Sequence, residues 1–324
     1  MKKDRWKIDR QLFITVNGDR QNIRIRAAEE GLTPILFVHG GPGVCDRHLV
    51  LKNQSALAEK YTLVCWDQRG SGKSYTPAIK EQKLSLRTYL DDVRAVLDAV
   101  SELTGSEKLV LAGHSWGSVL GLITAKEYPD KIAAYIGQGQ FIDGEKNEEL
   151  SYAFCVEEAK RRGNKKALKQ LEGGAPVQGR YPTDKAMMTQ RDWLSKFGGG
   201  TWKKQQGLIG SLLMPLLKSP EYSLSDIGKY ASGALYLSKA LWNDVVAQRL
   251  GDIDKLDMPV IITQGDHDFN TPTALAKEWF EKLHAPFKKW IAFSDSAHSP
   301  IFEEPQKWKE QVEKALAEAG VGTV

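Results

Sequence analysis

Residues 109–121, with the sequence LVLAGHSWGSVLG, constrain the fold of this chain more than any other segment. An apolar run with strand character ends at Ala112, a turn follows at residues 113–117, and a helix-forming stretch comes next. This is the G-x-S-x-G pattern in its strand–turn–helix context. Gly113 and Gly117 let the backbone turn tightly enough to lift the Ser115 hydroxyl clear of a sheet. An ordinary tight turn with a surface serine matches the same five positions, so a nucleophile is predicted only if the chain also supplies a base, an orienting acid and an oxyanion site.

The segments on both sides of this turn alternate between strand and helix patterns. Residues 11–16 and 22–28 alternate apolar and polar side chains around Asn17-Gly18-Asp19, which predicts a hairpin at one edge of a sheet. The later strands are separated by amphipathic helices such as residues 85–103, which indicates right-handed crossovers and a largely parallel sheet. These strands are predicted at residues 35–38, 61–66, 108–112, 131–137, 259–264 and 288–293.

The alternation stops between residues 140 and 250, where helical patterns replace strands. We predict an α/β core domain at residues 1–139 and 251–324, with residues 140–250 inserted as a helical cap. Paired glycines and a Ser-Pro step separate the helices of this insert. The helices are predicted at residues 148–162, 165–171, 183–197, 205–217 and 232–249.

Charge and cysteine content exclude several classes of protein. The chain has 324 residues, with 45 Lys and Arg against 41 Asp and Glu, and a formal net charge of +4, too small to indicate nucleic-acid binding. Cys45, Cys65 and Cys155 show neither a disulfide framework nor a metal-ligand spacing. No segment approaches the roughly 18 uninterrupted apolar residues of a membrane span. We therefore expect a cytoplasmic protein without a nucleic-acid or membrane partner.

Two glycine-containing loops follow the first two buried strands. Residues 39–43, HGGPG, remove side chains where a ligand must approach the backbone, which predicts an oxyanion loop. Residues 67–74, DQRGSGKS, imitate the end of a phosphate-binding P-loop, but that motif needs glycine five positions before Gly72, where this chain has Asp67. We therefore predict a packed polar loop beneath the site instead of a nucleotide-binding loop.

The remaining catalytic groups are expected at the carboxyl ends of other strands, where ligands bind in open α/β sheets. His298 lies in the loop after the last strand and is the preferred base. Asp266 and Asp268 both follow the preceding strand, and Asp268 is preferred as the orienting acid. The backbone N–H groups of Trp116 and Gly41 are the predicted oxyanion donors. The order of Ser115, Asp268 and His298 along the chain is typical of α/β hydrolases.

The motifs together resemble the proline iminopeptidase (prolyl aminopeptidase) branch of the α/β hydrolases. The resemblance rests on HGGPG at 39–43, DQRGSGKS at 67–74, GHSWGS at 113–118, GDHD at 265–268, AHS at 297–299 and EEP at 303–305. It implies the α/β-hydrolase fold, with a twisted sheet flanked by helices. It also implies cleavage of an N-terminal residue, often proline, from short peptides or amides, without a metal or cofactor.

One departure from that branch affects the expected specificity. Its members usually carry Trp-x-x-Trp-Glu in the cap, whose glutamate binds the free α-amine of the substrate, whereas Trp193 here is followed by LSKFG. A buried amine needs a compensating charge. Other cap acids are candidates for this role, and the sequence does not select among them: Glu148, Glu149, Glu157, Glu158 and Glu221.

Three functions are consistent with these residues. The preferred one is a serine hydrolase that acts through an acyl-enzyme as an aminopeptidase of the proline iminopeptidase type. The second is a small-molecule carboxylesterase or lactonase with the same fold and chemistry. The third is a non-catalytic protein of the hydrolase fold that binds a small molecule or partner, which the complete Ser-His-Asp set disfavours.

Overall fold

The computed structural model describes residues 5–203 and 214–322. Within them, eight strands form one sheet in the order β1-β2-β4-β3-β5-β6-β7-β8. The strands are β1 (Ile8–Val16), β2 (Asp19–Ala27), β3 (Pro34–Val38), β4 (Thr62–Asp67), β5 (Leu109–His114), β6 (Ile132–Gln138), β7 (Val260–Gly265) and β8 (Lys288–Phe293).

The edge hairpin forms as the sequence predicts. β1 and β2 pair antiparallel from Ile8 opposite Ala27 to Val16 opposite Asp19. Asn17 and Gly18 connect them with φ angles of 47° and 78°, and such positive angles at both turn positions match the twist of the flanking strands. β2 also pairs antiparallel with β4, and every later pairing is parallel. The predicted mostly parallel sheet is therefore confirmed.

Helices cover both faces of this sheet. Alternate side chains of β3 divide between two apolar clusters: Leu36 and Val38 pack on one face, and Ile35 and Phe37 on the other. The core helices are α1 (Arg47–Asn53), α2 (Leu86–Thr104), α3 (Trp116–Glu127), α9 (Thr273–Lys282), α10 (Pro300–Glu303) and α11 (Pro305–Glu318). Helices α2, α3 and α9 contribute to the first cluster, and α1 and α11 to the second. A strand buried on both faces needs an uninterrupted apolar sequence, and β3 has one.

The chain between β6 and β7 forms further helices. They are α4 (Gly144–Arg161), α5 (Lys165–Leu171), α6 (Asp184–Phe197), α7 (Met214–Leu217) and α8 (Leu224–Val246). Most of the helix predicted at residues 205–217 lies outside the described residues. Helix α8 begins eight residues before the predicted position 232, because Ser223 and Asp226 form a capping box at its start. The division into a core and a cap of residues 140–250 remains a proposal.

The loop after β4 is packed and polar. Asp67, Ser71 and Ser74 are buried, and Asp67 accepts a hydrogen bond from the backbone N–H of Lys73 at 2.9 Å. Residues Gly72–Ser74 form a single 3₁₀ turn followed by extended backbone at Tyr75, whereas a P-loop leads directly into a helix. None of the helices among the described residues combines the length and apolar character needed to cross a bilayer.

Helix α1 carries a buried histidine that makes folding sensitive to pH. His48 is 5% exposed and packs edge-on against Tyr222, with ring centroids 5.9 Å apart. Neither ring nitrogen has a hydrogen-bond partner among the described residues. Burial lowers the pKa of His48 from 6.5 to about 4. The unfolded chain therefore binds a proton more readily than the folded chain below about pH 6.5, so that stability falls as the pH is lowered.

We predict that His48→Phe reduces this loss. Lowering the pH from 7 to 5 should cost the parent about 2 kcal/mol more free energy of unfolding than the variant, as the shift in the histidine pKa implies. Denaturant titrations of both proteins at the two pH values measure the difference. An equal loss in parent and variant would show that His48 takes up no proton when the chain unfolds, and therefore that its pKa is the same in the folded and unfolded chain.

Candidate active site

The turn between β5 and α3 holds Ser115 in a strained backbone conformation. Its φ is 55° and its ψ is −117°, outside the regions that most side-chain-bearing residues adopt. A Cβ on Gly113 would overlap the Gly117 carbonyl, and one on Gly117 would overlap the Val38 carbonyl oxygen. The two glycines of the motif are thus required by close backbone approach. Helix α3 begins at Trp116, directly after the serine, where the sequence predicts a helix-forming stretch.

The HGGPG loop runs directly against this turn. A Cβ placed on Gly40 would lie 3.3 Å from the Ser115 Cβ. Gly41 has a φ of 124°, a backbone angle that favours glycine. Trp116 occupies the first position of α3, where a backbone N–H has no acceptor within its own helix. Both predicted oxyanion donors therefore belong to elements that meet at Ser115.

Gln68 joins these two elements, and the sequence analysis did not identify it. Its side-chain amide donates to the His39 carbonyl at 2.8 Å, and its side-chain oxygen accepts from Trp116 Nε1 at 3.0 Å. Its backbone N–H donates to His39 Nε2 at 3.2 Å. Because Nε2 then acts as an acceptor, the proton of the His39 ring lies on Nδ1, 2.8 Å from the Gly40 carbonyl. Gln68 directly follows β4, so it lies at the carboxyl ends of the parallel strands, as Ser115 does. This position after a buried strand is the sequence feature that could have identified it.

Asp268 and His298 meet across the loops that follow β7 and β8. His298 Nδ1 lies 3.0 Å from Asp268 Oδ2, and the Asp268 side chain is fully buried. Asp266 is exposed, and its backbone N–H donates to the Phe293 carbonyl. Of the two aspartates considered from the sequence, only Asp268 contacts the histidine.

Hydrogen bonds surround the Asp268 carboxylate. Oδ1 accepts from the backbone N–H groups of Asn270 and Thr271, each at 2.9 Å. Oδ2 accepts from Gln264 Nε2 at 2.9 Å and from Thr271 Oγ1 at 2.8 Å, in addition to its contact with His298. A buried carboxylate needs such donors to remain ionised. The roles of Gln264 and Thr271 were not predicted, because their contacts depend on how the loop after β7 folds back against the end of that strand.

The His298 ring lies between a glycine and a second histidine. A Cβ on Gly139 would lie 2.9 Å from both Nδ1 and Cε1 of His298, so a side chain there would displace the base. The His114 and His298 ring centroids are 4.9 Å apart, and His114 Nε2 lies 3.2 Å from the His298 carbonyl. Burial, with the nearby His298 as a further cause, lowers the pKa of His114 to about 3. His114 is therefore a neutral neighbour of the base at ordinary pH.

Each of the five cap glutamates considered from the sequence is either paired with an arginine or exposed. Glu148 is 2% exposed and forms an ion pair with Arg191 at 2.6 Å. Glu149 and Glu157 are exposed. The remaining two contact arginines: Glu158 lies 2.7 and 2.9 Å from Arg161 and Arg162, and Glu221 lies 3.7 Å from Arg24 and from Arg47. Each buried or partly buried glutamate in this set already faces a cation.

Asp46, after the HGGPG loop, is a carboxylate that the sequence analysis did not consider. Its Oδ2 lies 3.9 Å from His114 Nδ1, and no lysine or arginine in the described part of the chain forms an ion pair with it. His114 in turn lies close to Gly40: a Cβ placed on Gly40 would be 3.3 Å from His114 Nδ1 and 3.3 Å from the Ser115 Cβ. Burial raises the pKa of Asp46 to about 7.

In residues 5–203 and 214–322, no group of three or more His, Cys, Asp or Glu side chains is arranged to hold a metal ion.

Comparison with known proteins identifies the family to which this fold belongs. Residues 33–305 match the family described as alpha/beta hydrolase fold. The chain is 28% identical over 296 residues to the probable aminopeptidase YbaC of Bacillus subtilis (strain 168), covering 90% of this chain and 91% of that protein. It is 24% identical over 289 residues to the proline iminopeptidase of Lactobacillus delbrueckii subsp. lactis, covering 86% and 87% of the two chains.

A solved structure shows the same fold at low sequence identity. Est816, described as an N-acyl homoserine lactone degrading enzyme, matches with a TM-score of 0.62 at 17% identity, covering 93% of this chain and 99% of that one. The predicted fold and the predicted resemblance to proline iminopeptidases are both confirmed. The chain is a hydrolase that belongs to the α/β-hydrolase fold family.

Proposed function

We propose that this protein is a serine hydrolase that works through an acyl-enzyme on Ser115. The observation that carries the proposal is the 3.0 Å contact between His298 Nδ1 and the buried Asp268 carboxylate, at the sheet edge where Ser115 sits in its strained turn. Because Nδ1–H donates to Asp268, the neutral ring presents the unprotonated Nε2 as a base. An ionised carboxylate held by several donors fixes that tautomer and stabilises the imidazolium formed during reaction.

The reaction proceeds in two stages. His298 takes the proton of Ser115 as Oγ attacks the carbonyl carbon of the substrate. The N–H groups of Gly41 and Trp116 stabilise the oxyanion, each contributing about 3 kcal/mol to lowering the barrier. His298 then protonates the leaving amine or alkoxide, and a water molecule, activated by the same histidine, hydrolyses the acyl-enzyme.

We further propose that its substrates are short peptides or aminoacyl amides with a free N-terminus, from which one residue is released. The names of the two curated relatives, an aminopeptidase and a proline iminopeptidase, support this class. Asp46 supplies the carboxylate that a substrate ammonium group requires in a desolvated site. Its lack of a cationic partner in the described residues and its raised pKa mean that binding an ammonium group would stabilise its ionised form.

The second candidate is a carboxylesterase or lactonase that takes small uncharged acyl groups. The observation that favours it is the pairing of Glu148 with Arg191, because a cap carboxylate already neutralised in this way has little attraction left for a substrate amine. The chemistry at Ser115 is the same in both cases. The two candidates differ only in what the site binds beside the carbonyl.

We predict that Asp268→Asn lowers kcat by about 10⁴-fold, the size of effect seen when an asparagine favours the wrong histidine tautomer in a Ser-His-Asp triad. The matched control is Asp266→Asn, which changes an exposed carboxylate two residues away and should retain parental kcat. Steady-state kinetics on any hydrolysed substrate, with thermal unfolding curves of all three proteins, measure this. A larger loss in Asp266→Asn would assign the orienting acid to Asp266.

We predict that proline and alanine naphthylamides are hydrolysed, and that their KM rises about tenfold or more in Asp46→Asn because a charge-assisted hydrogen bond is lost. The KM for p-nitrophenyl acetate, which has no amine, should change much less. Both substrate classes are assayed side by side with the parent, with Asp46→Asn and with Asp266→Asn as the control. Hydrolysis of the ester without any aminoacyl amide activity would support the esterase instead, and no hydrolysis of either class would support a non-catalytic binding protein.

A further inference from the structure

We infer that residues 199–203, which follow α6 and are here called the strap, position the catalytic residues by binding two loops at the same time. These are the acid loop, residues 266–272 after β7, which carries Asp268, and the base loop, residues 294–299 after β8, which carries His298. The strap belongs to the insert between β6 and β7, so this assigns the insert a part in the geometry of the triad. The inference rests on the proposed serine hydrolase function. Trp202, together with Glu303 of α10, is the positioning residue that the geometry assigns.

The strap contacts the acid loop through backbone and ring interactions. The backbone N–H of Phe269, next to Asp268, donates to the Gly199 carbonyl at 3.0 Å. The Trp202 ring stacks on the His267 ring, with centroids 3.4 Å apart and planes 5° from parallel. The two residues that flank Asp268 in sequence are therefore both held by the strap.

The strap contacts the base loop over the same short stretch. The backbone N–H of His298 donates to the Gly200 carbonyl at 3.3 Å. The backbone N–H of Trp202 donates to Glu303 Oε2 at 2.6 Å. Lys203 pairs with Asp295 at 2.9 Å, at the start of the base loop.

Glu303 passes this connection on to the residues beside the base. Its second carboxylate oxygen, Oε1, accepts from the backbone N–H groups of Ala297 at 3.0 Å and Ser299 at 3.3 Å. One carboxylate thus joins the strap to both sequence neighbours of His298. Burial raises the pKa of Glu303, and these three N–H donors act in the opposite direction.

Glycine is required both at the end of α6 and at the first residue of the strap. Gly198 ends α6 in the left-handed region with a φ of 93°. A Cβ on Gly199 would lie 2.7 Å from the Phe154 ring and 3.1 Å from Phe269 Cβ. The chain passes against the acid loop only because this position carries no side chain.

These contacts add to direct ones between the two loops, in which the His267 backbone N–H donates to the Ser296 carbonyl at 3.2 Å and His267 Nε2 lies 3.1 Å from the Ser294 carbonyl. Asp268 and His298 follow different strands, and the side-chain hydrogen bond between them is weak unless both backbones are held in place. A misplacement of about 1 Å in a catalytic group costs about 10²-fold in rate. Releasing the strap should therefore slow attack by Ser115 on every electrophile, including ones too small to contact the insert.

The test measures reactivity of Ser115 with an electrophile whose binding does not depend on the natural substrate. The second-order rate of labelling by a small fluorophosphonate, and kcat and KM for p-nitrophenyl acetate, are compared for the parent, Trp202→Ala, Trp202→Phe and Glu303→Gln. Met188→Ala is the control, because Met188 lies in α6 of the same insert and is 52% exposed. Thermal unfolding curves ensure that all assays run well below each melting temperature.

We expect Trp202→Ala to lower the labelling rate and kcat by about 10- to 100-fold with little change in KM, since misplacement affects reaction more than binding. Trp202→Phe, which retains a stacking ring, should restore most of the rate. Glu303→Gln should show a smaller loss, because its amide group cannot accept on both sides as the carboxylate does. Met188→Ala should match the parent.

Parental labelling rates in both Trp202→Ala and Glu303→Gln would overturn the inference, as would an effect of Trp202→Ala confined to KM. If the Trp202→Ala variant does not fold, the labelling rate of Glu303→Gln alone decides whether the inference stands. Failure of the serine hydrolase proposal is distinguishable, because the parent itself would then not be labelled.

Discussion

The close approach of α3 to the ends of β3 and β5 is the constraint on which the rest of the site depends. Gly117 lies against the Val38 carbonyl, and Gly113 lies against the carbonyl of Gly117, with no room for a side chain at either position. This approach holds Ser115 at a φ of 55° and directs the start of α3 toward the HGGPG loop. A side chain at either glycine would move the helix away from the sheet, and with it Ser115 and the Trp116 N–H. The strain at Ser115 is tolerated because β3 and residues 109–113 of β5 are buried around it.

The parallel sheet brings the other groups to the same edge. Ser115, Asp268 and His298 follow β5, β7 and β8, whose carboxyl ends share one direction. Burying a carboxyl group away from water costs free energy of solvation. At Asp268, hydrogen bonds from Gln264, Asn270 and Thr271 offset that cost. Gln68 and the strap add further connections between the loops that follow the strands. The site therefore depends on several layers of hydrogen bonds as well as on the fold.

Local sequence patterns predicted most of the fold because its elements follow local rules. Buried strands read as short apolar runs, and the Asn-Gly turn specifies the hairpin. The prediction differed from the structure where a capping signal was passed over. Helix α8 starts at its Ser223–Asp226 capping box, and α4 starts after Asp143, whose side chain accepts from Lys146 N. Both signals lie in the sequence, and both helices were expected to begin later.

Local sequence patterns could not predict the contacts of the site that join residues far apart in the sequence. The strap joins residues about a hundred positions apart in sequence, and Asp46 depends on how the chain after HGGPG folds back toward His114. No periodicity or motif encodes these contacts, since they arise only when separate loops pack together.

The most direct measurement of the central claim is mass spectrometry of the protein quenched during turnover of a slowly deacylated p-nitrophenyl ester. The account predicts that the acyl mass appears on the peptide that contains Ser115, and that Ser115→Ala shows neither this adduct nor turnover. An acyl group on a different residue, or undiminished turnover by Ser115→Ala, would contradict it.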